Sequence, residues 1–236
     1  MKEAVETSGD PKVNRLILLR HGESCWNKKN IFTGWVNISL SRKGIEESLK
    51  AGNKIATLPI DLIFTSALIR SQMTALLAMG VHLDERSPCL LNTDPSCKEE
   101  RLFSEQLHDN CIPLYTAWQL NERCYGQLQG MNKEKAQQHY GTEQIQAWRR
   151  GYDAIPPEGE SLKETTERVV PYLKEQIFPH FFKGKNILIC AHGNSLRPII
   201  MHLESLSKEE VVRLEIGTAI PYIYAMKEGK WYRQYG

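Results

Sequence analysis

The 236-residue chain has no apolar run approaching the roughly 20 residues that a bilayer-spanning helix needs. Its longest runs, Leu16-Ile17-Leu18-Leu19 and Ile187-Leu188-Ile189-Cys190-Ala191, are the size of buried strands. It also lacks excess charge: 30 Lys+Arg against 28 Asp+Glu leave +2, too little for the broad basic footprint of nucleic-acid binding. The six cysteines (Cys25, Cys89, Cys97, Cys111, Cys124 and Cys190) form no C-x-x-C pair, as expected of reduced thiols in a cytoplasm. No H-E-x-x-H, no acidic cluster suited to magnesium and no G-x-x-x-x-G-K-[ST] loop occurs, so zinc, magnesium and nucleotide-dependent chemistry lose their usual supports. The first twelve residues are polar and lack the basic start and apolar middle of a secretory signal.

What is present reads as one α/β domain over 14–236 behind a loose extension at 1–13. Residues 15–20 and 185–192 are short apolar runs closed by charge or histidine, the pattern of strands buried on both faces of a parallel sheet. Ser41 caps a helix with Ile45, Leu49 and Ile55 on one face, and 61–65 is a third strand. Ser66 opens a second helix that ends at Gly80, completing a β-α-β-α rhythm and predicting a doubly wound, mostly parallel sheet flanked by helices. From Leu83 to Pro113 periodicity dissolves, so an inserted cap is placed at about 83–158. A helix follows from Glu160 towards Gln176, with Pro171 predicting a kink or break; Ser207 to Leu214 makes a short helix, and Glu228-Gly229 turns a terminal hairpin.

Each of the two buried strands delivers a histidine to its C-terminal end, His21 and His192, where open α/β sheets bind ligands. Each is followed by glycine, Gly22 and Gly193, which lets backbone approach a ligand closely. His82, His108, His139, His180 and His202 carry no such context and read as structural or exposed. Arg20, Arg70, Arg123, Lys133, Arg149 and Arg150 fall at strand ends or turns, and guanidinium forks match phosphate oxygens. Zinc on the two histidines and Glu122 is the rival reading. Without a ligand spacing to support it, the chemistry left is attack by imidazole on phosphorus, giving a phosphohistidine, with Glu122 as the acid that protonates the leaving oxygen. Phosphates nearby would raise the pKa of such a carboxyl.

Arg20-His21-Gly22-Glu23-Ser24, Trp26-Asn27, Phe32-Thr33-Gly34-Trp35, Leu120-Asn121-Glu122-Arg123, Tyr125-Gly126, Trp148-Arg149-Arg150 and 191–197 together closely resemble the cofactor-dependent phosphoglycerate mutases of the histidine phosphatase superfamily. The resemblance spans about 15–224. It implies interconversion of 3-phosphoglycerate and 2-phosphoglycerate in glycolysis and gluconeogenesis, primed by 2,3-bisphosphoglycerate and independent of metal. His21 would carry the phosphoryl group, with Arg20, Arg70 and His192 holding it and Glu122 exchanging protons with the substrate hydroxyl. Ser24, Asn27, Thr33, Gly34, Arg123, Tyr125, Lys133, Arg149, Arg150, Gly193 and Asn194 would bind the small phosphorylated three-carbon acid. The resemblance also implies a homo-oligomer, most simply a dimer.

Three departures accompany it: a shorter segment at 156–161, an end at Gly236 where many members carry a covering tail, and a longer 83–113 stretch. A site without that tail is expected to leak phosphoryl groups to water, unless the 83–113 stretch folds over it. The alternatives are a phosphomonoesterase or bisphosphoglycerate mutase of the same superfamily, and a non-catalytic phospholigand scaffold that would not need both His21 and Glu122.

Overall fold

The computed structural model describes residues 13–91 and 110–234. Its strands are β1 (Leu16–Arg20), β2 (Leu62–Ser66), β3 (Ser87–Leu90), β4 (Cys111–Ala117), β5 (Ile187–Ala191), β6 (Pro221–Lys227) and β7 (Lys230–Gln234). They form one sheet in the order β3-β4-β2-β5-β1-β6-β7, parallel from β3 to β1 and antiparallel across β6 and β7. The helices are α1 (Cys25–Lys28), α2 (Arg42–Ile55), α3 (Ile69–Met79), α4 (Lys133–Tyr140), α5 (Thr142–Arg150), α6 (Leu162–Tyr172), α7 (Phe178–Phe182), α8 (Gly193–Glu204) and α9 (Lys208–Arg213).

Because successive strand residues face opposite sides, β1 supplies both cores at once. Leu16 and Leu18 join Leu62, Phe64, Ile187 and Ile189 under α6 and α8, while Ile17 and Leu19 join Ile63, Leu188 and Cys190 under α2 and α3. The two His-bearing strands are direct neighbours, with Arg20 opposite Ala191. The connections leaving them pack on opposite faces, which opens a crevice at their carboxyl ends, the general ligand position in such sheets. A third, smaller cluster of Phe32, Leu128, Ala136 and Ile145 seats α4 and α5 beside that crevice.

Several sequence expectations need correction. The stretch read as irregular from Leu83 to Pro113 contains β3 and the start of β4. β3 is an edge strand with exposed ends, and Pro113 interrupts the apolar pattern of β4, so neither shows the signature of a buried strand. Whether the rest of that stretch folds over the site lies outside the described residues, as do His108 and Cys97. α3 starts after Leu68, not at Ser66, because Ser66 is still the last residue of β2 and its hydroxyl, besides meeting His192, closes a turn by accepting from Leu68 N. Pro171 does not break its helix: α6 continues into a wider π-helical turn at Leu173–Ile177 and on into α7. Loosening the hydrogen-bond ladder next to a proline in this way keeps the chain helical. The terminal hairpin is as expected, with Glu228 and Gly229 both at positive φ, the backbone of a tight primed turn.

Candidate active site

His21 is 3% exposed and its Nδ1 lies 2.7 Å from its neighbour's carbonyl, Gly22 O. A carbonyl can only accept, so Nδ1 carries the proton and Nε2 keeps its lone pair. His192 is fully buried, with its ring centroid 4.9 Å from that of His21. Its Nε2 meets Ser66 Oγ at 2.7 Å, Ser66 Oγ meets Ser71 Oγ at 2.6 Å, and His192 Nδ1 has no hydrogen-bond partner. Burial first, and then the charge of Arg70 and other cations, pushes both imidazoles well below the usual histidine range. Both are neutral near pH 7.

Arg70, 1% exposed, is held by the carbonyls of Gly34 (2.7 Å) and Val36 (2.9 Å). Burial and the neighbouring Arg20 pull its pKa down to about 10, partly offset by Glu122. Arg20 donates Nη1 to Ile216 O at 2.6 Å, while its Nε is buried without a partner. Arg20 Nε, which always carries a hydrogen, and His192 Nδ1 are thus both buried without a partner. A buried polar atom without a partner is costly, and an anionic ligand in the cleft would satisfy the Arg20 Nε–H.

Glu122 follows the short turn after β4, and its Oε1 accepts from Arg123 N (2.8 Å) and Asn194 N (3.2 Å), the latter in the first turn of α8. A helix N-terminus suits a carboxylate. At the outer end, Arg149 and Arg150 occupy the last turn of α5, where cations are favoured, and Lys133 begins α4. Burial and then Arg149 lower the Lys133 pKa. For Tyr125, burial pushes the pKa up, but Arg123 and the hydrogen bonds from Arg123 and Asn194 bring it below the ordinary value.

These side chains enclose a cleft of about 200 Å³ lined by thirteen of the expected residues: Arg20, His21, Asn27, Thr33, Gly34, Arg70, Glu122, Tyr125, Lys133, Arg149, Arg150, Gly193 and Asn194. Three others lie one layer back. His192 is behind His21; Arg123 is buried, with Nη2 on Tyr125 Oη and Arg149 O; Ser24 is buried as the N-cap of α1, its hydroxyl donating to Asn27 Oδ1. The cleft also contains Arg197 and Glu215, which sequence reading gave no role. Arg197 could have been found, since it sits one helical turn beyond Gly193. Gly22 is not there for a ligand: a Cβ would overlap the Gly44 carbonyl of α2. A Cβ on Gly193 would make only ordinary contact with Arg20, about 3.6 Å away.

The family model of the histidine phosphatase superfamily (branch 1) matches residues 16–87 and 101–234, and the chain belongs to that superfamily. The fold agrees: a putative alpha-ribazole-5'-P phosphatase structure from Escherichia coli superposes with a TM-score of 0.70 at 22% identity, covering 94% of this chain and 95% of the other. Within the superfamily the chain falls among the 2,3-bisphosphoglycerate-dependent phosphoglycerate mutases. It is 51% identical over 222 residues to the enzyme of that name from Protochlamydia amoebophila, covering 93% of this chain and 98% of the relative. It is 50% identical over 221 residues to form 1 of Arabidopsis thaliana, covering 93% of this chain and 66% of that longer protein's length. Among the described residues no helix is long and apolar enough to cross a membrane.

Proposed function

We propose that the chain interconverts 3-phosphoglycerate and 2-phosphoglycerate through a phosphohistidine on His21, primed by 2,3-bisphosphoglycerate. The observation that carries this reading is the His21 ring, whose Nδ1 is committed to Gly22 O, leaving Nε2 as a lone pair at a cleft bordered by Arg20 and Arg70. Attack forms the N–P bond as the P–O bond to the substrate breaks. The leaving oxygen takes a proton from Glu122, and the return transfer reverses each step at the other hydroxyl. Arg20 and Arg70 stabilise charge on the transferring oxygens, with His192 supporting them from behind the His21 ring, and the unpartnered Arg20 Nε–H fits the primer's phosphate. Bound primer supplies the phosphoryl group that loads His21. Asn27, Thr33, Gly34, Tyr125, Lys133, Arg149, Arg150, Gly193 and Asn194 hold the rest of the small acid, with Ser24 acting through Asn27 and Arg123 through Tyr125.

We place the enzyme in the cytoplasm as a homo-oligomer needing no metal; the free thiols of Cys25, Cys89, Cys111, Cys124 and Cys190 suit a reducing compartment. A coupled assay of 3-phosphoglycerate conversion, with and without 2,3-bisphosphoglycerate and with EDTA, tests all three points of the chemistry. Turnover should depend on the primer and survive chelation. Hydrolysis to free phosphate without isomerisation would instead favour the phosphomonoesterase.

A further inference from the structure

The cleft that must admit an anion holds a second carboxylate that the chemistry above does not use. Glu215 borders its mouth and accepts an ion-pair hydrogen bond at Oε1 from Arg150 Nη2 at 2.6 Å. Its neighbours in sequence are fixed from both sides. Arg197 donates Nε and Nη2 to Leu214 O at 3.0 and 2.9 Å, and Arg20 donates Nη1 to Ile216 O at 2.6 Å. Arg197 is tied in turn to Asn194 Oδ1 at 2.6 Å. The segment bearing Glu215 is thus anchored to residues of the cleft wall, so its carboxylate is delivered to Arg150 by the backbone. Glu122, the other carboxylate of the lining, is held by amide hydrogens and meets no arginine side chain of the outer end.

Building on the mutase reading, we propose that Glu215 sets the affinity of the binding site: an internal carboxylate that occupies Arg150 until an anionic group of the phosphoglycerate displaces it. An arriving phosphate or carboxylate must take Arg150 from a partner of its own charge type. The Glu215 side chain is 70% exposed, so once displaced it is received by water at little cost, and it stands ready to re-form the pair as product leaves. Its effect is to hold affinity for the phosphorylated acid below what the arginines alone would give.

The test measures binding of 3-phosphoglycerate to the full chain by calorimetry alongside steady-state KM. Glu215→Gln should tighten Kd by about two- to fivefold, with KM falling more than kcat changes. In an Arg150→Gln background the same substitution should change Kd less than about twofold, because the two residues act as a pair. An unchanged or weakened Kd in Glu215→Gln would overturn the proposal, the latter showing that the carboxylate orients Arg150 for the ligand. Equal tightening in both backgrounds would also overturn it, assigning the effect to a general field. A wild-type chain that binds 3-phosphoglycerate without isomerising it would defeat the mutase reading and leave the Kd comparison for Glu215 intact.

Discussion

The two His-Gly steps look interchangeable in sequence and end neighbouring strands, yet the fold wires them in opposite senses. At the end of β1, His21 is pinned through Nδ1 by its own loop and presents Nε2. At the end of β5, His192 is pinned through Nε2 by Ser66 and leaves Nδ1 without a partner. The glycines differ as well: Gly22 is required by the close passage of α2, whereas Gly193 faces the ligand side beside Arg20. A repeated dipeptide marks where a sheet puts its site but does not assign roles, since each ring is oriented by a different oxygen, the adjacent Gly22 carbonyl for His21 and the distant Ser66 hydroxyl for His192.

The most severe break in this asymmetry is loss of the nucleophile. His21→Ala should abolish acid-labile phosphoenzyme and lower turnover by on the order of 10⁴-fold or more. His192→Ala removes only the ring that packs behind the nucleophile, so it should still form phosphoenzyme and cost about 10² to 10³ in kcat. Equal phosphate labelling of the two variants would show that the roles are not divided this way.

The glycines give a smaller and oppositely directed pair of effects. Gly22→Ala forces a methyl against the Gly44 carbonyl and should cost about 1–3 kcal/mol of stability by denaturant titration. Gly193→Ala meets only van der Waals contact, so stability should stay within about 0.5 kcal/mol, while KM rises because the methyl projects into the cleft. A stability loss at Gly193 equal to that at Gly22 would erase the distinction.

The mildest effect is on pH dependence. Both imidazoles are held below the ordinary value of 6.5 in the folded chain. As pH falls through 6.5 the unfolded chain takes up protons that the folded chain refuses, so stability declines on the acid side and is regained above it. Melting temperature should therefore drop between about pH 7.5 and about pH 5.5, and drop less in His192→Gln. An identical slope in that variant would move the cause to other groups.

Much of this is legible in the sequence. The strands carrying His21 and His192 are apolar on both faces and Arg20 ends one of them, whereas Arg70, Arg149 and Arg150, expected at turns or strand ends, lie on the helices α3 and α5. β3 and β4 were hidden because an edge strand and a proline erase the period on which strand recognition depends. Ser66 reads as the start of a helix because one of its partners, His192, is 126 positions away. Glu215 has no such signal in the sequence, because only the fold brings it beside Arg150 at the cleft, 65 positions away.

Arg168 was missed too, and it matters differently. It lies outside the cleft on α6, forms a bidentate pair with Glu160, and gathers the carbonyl oxygens of Gln119, Asn121 and Glu122 at 2.6, 3.1 and 3.0 Å. Those oxygens are the negative ends of the peptide dipoles in the loop that presents Glu122. With one guanidinium drawing them to the far side, the same loop turns amide hydrogen towards the cleft, as at Arg123 N. That amide hydrogen is taken by the Glu122 carboxylate itself, so a guanidinium behind the wall fixes the backbone on which the carboxylate facing the cleft is hung.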